Sequence, residues 1–213
     1  MHFFIQDKTG KSIAVEPIGG KLKVTDAPLG VMTNAPTYDW HMTNLDNYIN
    51  LSVKDIESAS LGDVKLQAFG SGSGMLGLPG DFTPPSRFVR AAFFSQAAVP
   101  NDTGADAVLA AFHILNLLDI PKGSVVNASV GGTMNEITEW TSVSDLKNLR
   151  WYFRTFADQS IRMVDLKEAI EAAKGEIKTI SMEASKQPIA NVSPMLEAAN
   201  RRSETCFREG DRT

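Results

Sequence analysis

Cysteine is nearly missing from this chain. The single thiol, Cys206, excludes an intramolecular disulfide and a paired-cysteine metal site. It sits in the charged tail "RRSETCFREGDRT", where it reads as an incidental exposed thiol. Histidine is almost as scarce. His2, His41 and His113 show no ligand spacing with one another or with carboxylates, so no metal and no cofactor is expected from them. His113, within "LAAFHILNLL", reads as a core-edge histidine rather than a base. Positive charge is not in excess either. A net charge of −4 argues against nonspecific binding to nucleic acid or to an anionic membrane, both of which need a concentrated basic surface. No apolar run approaches the ~20 residues that span a bilayer. The opening "MHFFIQDKTGKS" lacks the basic segment, apolar core and cleavage site of a secretory signal, so taken alone the chain reads as soluble and unexported.

What is present is ordinary globular material, 43% hydrophobic over 213 residues. Short β segments come first: "HFFIQD", "KSIAVEPI", "KLKVTD" and "LGVMTN" are divided by Lys8-Thr9-Gly10, Gly19-Gly20 and Ala27-Pro28, a hairpin pattern. From Pro36 the period changes, and "TYDWHMTNLDNYINLS" places Trp40, Leu45 and Tyr48 at helical spacing, with Asp39 near the helix start. A polar connection is expected over 52–63. Two helices follow a glycine-rich stretch. The first starts at Thr83-Pro84-Pro85 and carries Val89, Ala92, Phe93 and Ala97 on one face. The second starts at the capping box Thr103-x-x-Asp106, with a stripe of Val108, Ala111, Phe112, Leu115 and Leu118, and stops near Pro121. Three antiparallel strands, "EITEWTSV", "NLRWYFRTF" and "SIRMVDL", close the pattern before a polar helical segment and a loop from about Gln187. Strands, helices, then strands predict an α+β fold with the helices on one side of a sheet. Residues 1–196 read as one domain and 197–213 as a polar tail.

The glycine stretch "GSGSGMLGLPG" contains Gly72-x-Gly74-x-x-Gly77, which matches a dinucleotide-binding fingerprint. That chemistry needs a helix to begin directly at the last glycine, so that its N-terminus meets a pyrophosphate. Pro79 and Pro84-Pro85 forbid this, and no Gly-Lys-Ser/Thr is present for a Walker loop. Met75, Leu76 and Leu78 among the glycines point instead to close backbone packing. Arg87 is the other anomaly. A cation in the first turn opposes the helix dipole, which calls for pairing with a neighbour such as Asp81, for a buried polar partner, or for a functional duty.

"LGVMTNAPTYDWHMTNLDNYINLS" followed by "GLPGDFTPPSRFVRAAF" resembles the choloylglycine hydrolase (conjugated bile salt hydrolase) and penicillin V acylase family, and "EWTSVSDLKNLRWYFRTFADQSIRMVDL" resembles its closing strands. The forms "TPPSRFVR" and "IRMVDL" look more like the Gram-negative members. The resemblance implies an αββα N-terminal-nucleophile hydrolase sandwich that cleaves linear amides of the bile-salt, penicillin V or N-acyl homoserine lactone kind. It implies a cysteine nucleophile activated by its own α-amino group, no cofactor, a small-molecule N-acyl substrate and a tetramer. It places Asn34 on the family's active-site asparagine, an oxyanion donor, and Arg87 on the arginine near the nucleophilic sulfur. The family's N-terminal cysteine and its neighbours match nothing in these 213 residues, so the expected sandwich is incomplete, with its N-terminal strands missing, and the chain alone is expected to be inactive. In a full-length parent a periplasmic location would be compatible. The alternative expectation is a non-catalytic remnant or interaction module of the same family.

Overall fold

The computed structural model describes residues 2–129, 132–183 and Ser193. The tail at 197–213, with Cys206, and the loop expected from Gln187 lie outside them, apart from Ser193.

Three antiparallel strands open the chain: β1 (Phe3–Gln6), β2 (Ser12–Ile18) and β3 (Lys21–Asp26), ordered β1-β2-β3. The turns sit where the glycines are. Gly19 and Gly20 both have positive φ (57° and 77°), the two-residue geometry that matches strand twist. At the first turn, the Asp7 carboxylate accepts the backbone N–H groups of Thr9 and Lys11, at 2.8 and 3.1 Å. On β2, Ala14 and Glu16 are two residues apart and both are buried, so the pleat turns them to one face.

The fourth expected strand, "LGVMTN", does not form. Residues 27–37 instead run as irregular chain, in which Leu29, Val31 and Met32 pack against a buried cluster of Ala14, Ala27, Tyr38, Phe88 and Ala92. Packing against helices satisfied these apolar side chains without a ladder. The helix expected after Pro36 is α1 (Tyr38–Asn44), continued as a 3₁₀ turn over Leu45–Tyr48. Its buried face carries Tyr38 and His41, and Trp40 is 44% exposed. Residues expected as a polar connection contribute instead to a hairpin, β4 (Ser58–Leu61) with β5 (Val64–Gln67).

α2 (Pro84–Ala97) and α3 (Gly104–Asn116) follow. The cap half of the expected box forms: Asp106 N–H donates to Thr103 Oγ1 at 3.1 Å, while the Asp106 carboxylate accepts the Thr103 hydroxyl, at 2.6 Å, rather than its backbone N–H. Val108 and Phe112 are the buried residues of α3. His113 is exposed rather than at a core edge. Two hairpin strands absent from the sequence reading come next, β6 (Val126–Ser129) and β7 (Gly132–Asn135). The closing sheet is as expected: β8 (Trp140–Asp145), β9 (Arg150–Thr155) and β10 (Arg162–Asp165), antiparallel in the order β10-β9-β8. Arg154 lies over the Phe112 ring at 5.4 Å and binds Asp119 at 2.8 Å, which ties this sheet to α3. Asp165 then caps α4 (Leu166–Ala173) by accepting from Lys167 and Glu168 N–H. Every paired strand among the described residues is antiparallel, as an α+β fold requires. Among those residues no helix is long and apolar enough to cross a membrane.

Candidate functional site

The N-terminus of α2 is built by one carboxylate. Asp81 accepts Thr83 N–H at 2.9 Å, the Thr83 hydroxyl at 2.5 Å and the Ser86 hydroxyl at 2.6 Å. Those bonds bring its carboxyl down from 3.8 to about 2. Thr83 holds the cap position with extended backbone but accepts no cap hydrogen bond itself; Asp81 fixes the turn through the Thr83 N–H and the two hydroxyls instead. Behind this turn, the buried Arg90 donates through Nη1 to the carbonyls of Pro79 and Asp81, both at 2.7 Å. Burial pulls the Arg90 guanidinium below its ordinary pKa, against the attraction of Asp81. The loop that delivers Arg87 is therefore pinned from both sides.

Arg87 does not pair with Asp81. Its Nε donates to the Phe82 carbonyl at 3.1 Å, and its Nη2 donates to Asn34 Oδ1 at 2.7 Å. Positions 53 residues apart, one from an irregular loop and one from a helix start, thus meet directly. The contact decides which way the Asn34 amide faces. A guanidinium can only donate, so Oδ1 turns toward Arg87 and the Nδ2 hydrogens turn away from it. The Asn34 backbone is held separately: His41 Nε2 lies 2.9 Å from its carbonyl oxygen.

This corner of the molecule is dense. Glu16, from β2, is buried, and both its oxygens accept the Tyr38 N–H that begins α1, at 3.0 and 3.1 Å. His2 Nδ1 sits 2.7 Å from the same carboxylate. Tyr38 meets the Phe88 ring edge-on at 5.8 Å, and His41 stacks on Phe88 at 4.7 Å with 9° between planes. Next to Arg87, a cavity of ≈ 320 Å³ opens between the end of α3 and β8, lined among others by Leu118, Asp119, Thr138 and Trp140.

The glycine stretch plays a different part. Gly72 and Ser73 N–H donate to Asp55 Oδ1, at 2.6 and 2.8 Å. The backbone nest that a phosphate would occupy is filled by the protein's own carboxylate, whose pKa these bonds lower. Gly74 is the position of close approach. A Cβ there would lie 2.2 Å from the Lys54 carbonyl oxygen and 2.5 Å from that of Ser52. Sequence reasoning missed Asp55, Glu16 and His41, because none stands at a readable spacing from the group it holds.

The class these observations define is a mixed α+β protein of antiparallel sheets in which an arginine at a helix start, on the edge of a cavity, bonds an asparagine from a distant loop. The comparisons are specific. Residues 1–174 match the family model described as linear amide C–N hydrolases, choloylglycine hydrolase family, and the chain belongs to that family. It is 41% identical over 180 residues to a bile salt hydrolase/transferase of Clostridium perfringens, covering 84% of this chain and 53% of that one. A crystal structure of a conjugated bile acid hydrolase variant from the same organism superposes with a TM-score of 0.76 at 39% identity, covering 89% of this chain and 56% of the other. A penicillin V acylase of Pectobacterium atrosepticum is 27% identical over 189 residues, covering 82% of this chain and 44% of that one. Among these, identity runs higher to the Clostridium protein than to the Pectobacterium one, so the leaning toward Gram-negative members suggested by "TPPSRFVR" does not extend to overall identity. The chain spans about half the length of the curated relatives it matches.

Proposed function

We propose that Asn34 and Arg87 form the charge-stabilising half of an active site that hydrolyses linear amides by a cysteine N-terminal-nucleophile mechanism. The observation that carries this is the 2.7 Å bond from Arg87 Nη2 to Asn34 Oδ1, which aims the Asn34 amide hydrogens away from the arginine. In the proposed reaction the cysteine, with its α-amino group as base, comes from family sequence outside these 213 residues. Its sulfur attacks the substrate carbonyl carbon, a C–S bond forms, and the carbonyl oxygen becomes an oxyanion. Asn34 Nδ2–H donates to that oxygen, a contribution of ~3 kcal/mol for one such donor. The Arg87 charge favours thiolate over thiol. The C–N bond then breaks as the base returns its proton to the leaving amine, and water cleaves the thioester. The substrate class is a bile-salt or penicillin V-type N-acyl amide, and the working form is proposed to be a homo-tetramer with a completed αββα sandwich.

The test is reconstitution. The 213-residue chain is mixed with, or fused behind, a family N-terminal segment that begins with cysteine, and hydrolysis of glycocholate and penicillin V is measured. We expect no turnover from the chain alone and turnover from the combination. Asn34→Ala should lower kcat by about 10²–10³, and Arg87→Ala should abolish turnover. Turnover by the isolated chain, or an Arg87→Ala variant as active as the parent, would sink the proposal.

One observation favours a second reading, a non-catalytic interaction module of the same family. β1 exposes Phe3, Phe4 and Ile5, and β3 exposes Leu22 and Val24, apolar surface of a kind that ordinarily meets a partner. Family-like coding sequence directly upstream, starting with cysteine, would decide against this reading. Its absence would favour it.

A further inference from the structure

Asn34 lies in chain that no sheet ladder supports, since residues 27–37 are irregular. Its side chain is held by Arg87, but a side-chain bond alone leaves the backbone free to carry the amide away from its target. The backbone is tied by His41. The Asn34 carbonyl can only accept, so at 2.9 Å the proton of that bond belongs to His41 Nε2. The assignment agrees with the next partner. Thr33 Oγ1, 3.3 Å from the same nitrogen, donates its own hydrogen to the Pro84 carbonyl at 3.1 Å and has lone pairs left to share the Nε2 proton. It also agrees with the other ring nitrogen, Nδ1, which is buried with no hydrogen-bond partner. An orphaned acceptor there is better tolerated than an orphaned N–H.

The ring itself cannot turn. His41 is 2% exposed, lies flat on Phe88 at 4.7 Å, and meets Trp40 edge-on at 5.6 Å. Phe88 is the neighbour of Arg87 in α2. One buried aromatic stack therefore sets both attachments of Asn34: the His41 donor on its backbone and, through α2, the Arg87 donor on its side chain. The Thr33–Pro84 bond closes the loop between them.

We infer that His41 is a positioning residue for the Asn34 amide, acting through a neutral imidazole whose Nε2–H grips the Asn34 carbonyl. The inference rests on the reading that Asn34 faces the reacting carbonyl, but the grip itself can be tested without any reaction.

The experiment uses the 213-residue chain, isotopically labelled, with His41→Leu and His41→Gln variants. Leu removes the donor, while Gln keeps an N–H at nearly the position of Nε2. Long-range nitrogen–proton correlation in the parent should show a pyrrole-like Nε2 and a pyridine-like Nδ1 for His41. The Asn34 side-chain NH₂ pair should be sharp in the parent and in His41→Gln, and shifted or broadened away in His41→Leu. An Nδ1–H tautomer overturns the inference. So does an Asn34 signal unchanged by His41→Leu, and so does equal loss in both variants, which would assign the effect to ring packing. If His41→Leu does not fold, the tautomer and the Gln variant decide. In the reconstituted enzyme, His41→Leu should lower kcat about tenfold with KM unmoved, the worth of one positioned hydrogen bond, and His41→Gln should restore it. Failure of the parent to turn over at all would count against the proposed function, and the spectroscopic arm would still decide the role of His41.

Discussion

The α1–α2 corner and the β4–β5 hairpin each carry apolar side chains, and those side chains end up in opposite environments. In the corner, Tyr38 and Phe88 are at most 1% exposed, and Glu16 and His41 are sealed in beside them. In the hairpin, every residue of both strands is exposed, Leu61, Val64 and Leu66 included. The difference lies in what each segment meets. Residues near positions 14, 38 and 88 come from a strand, a helix start and a second helix, and each closes the gaps left by the others. The hairpin pairs only with itself among the described residues, so its backbone is satisfied while its side chains stay in water. A site that must hold a donor to a fraction of an ångström belongs in the first kind of place. Arg87, partly buried, and Asn34, exposed, sit at the edge of that corner and are tied to it through Phe88 and His41.

This contrast can be broken or sharpened by measurement. The largest effect should come from Phe88→Ala, which empties the centre of the corner and should cost about 3–5 kcal/mol in urea unfolding. A loss under about 1 kcal/mol would mean that the corner collapses freely and is not the rigid element described. Glu16→Leu should come next. It leaves the buried Tyr38 N–H without an acceptor, at about 1–3 kcal/mol, and should shift the Tyr38 amide resonance. A smaller effect concerns pH. Asp81 has a folded-state value of about 2 against 3.8, so its stabilisation is complete above 3.8 and is lost as pH falls toward about 2. Asp81→Asn should therefore lose less stability over that interval than the parent does. Parallel acid limbs for the two proteins would mean that the Asp81 carboxylate does not stabilise the turn before α2. The smallest effect belongs to the hairpin, where Leu66→Ser should move stability by no more than about 0.5 kcal/mol. A large loss there would show that the hairpin is covered in solution.

Much of the fold was legible in the residues. The glycine-punctuated strands β1–β3, the Thr103 cap of α3 and the three aromatic-rich closing strands all rest on short-range chemistry: positive φ at Gly19 and Gly20, a hydroxyl three residues from a carboxylate, alternation along a pleat. The errors share a cause. "LGVMTN" has the composition of a strand, but a core was close enough to take its apolar side chains without one. Helical spacing after Pro36 did not say which face turns in: the helix buried Tyr38 and His41, against Phe88 and Glu16. The hairpin β6–β7 passed unseen in a stretch of small polar residues with little periodicity.

The site divides in the same way. From the sequence alone came the anomaly of a cation in the first turn of α2, the failure of the glycine stretch as a phosphate loop, and a family resemblance placing Asn34 and Arg87 in one active site. Local rules sufficed for the first two, since prolines and helix dipoles act within a few residues. Only the tertiary structure decided that Arg87 turns from Asp81 to Asn34, that Asp55 fills the glycine nest, and that His41 grips the Asn34 backbone. Each is a contact between residues whose separation along the chain carries no signal. A hydrogen bond depends on where the backbone brings its partners, and that is settled when the core closes.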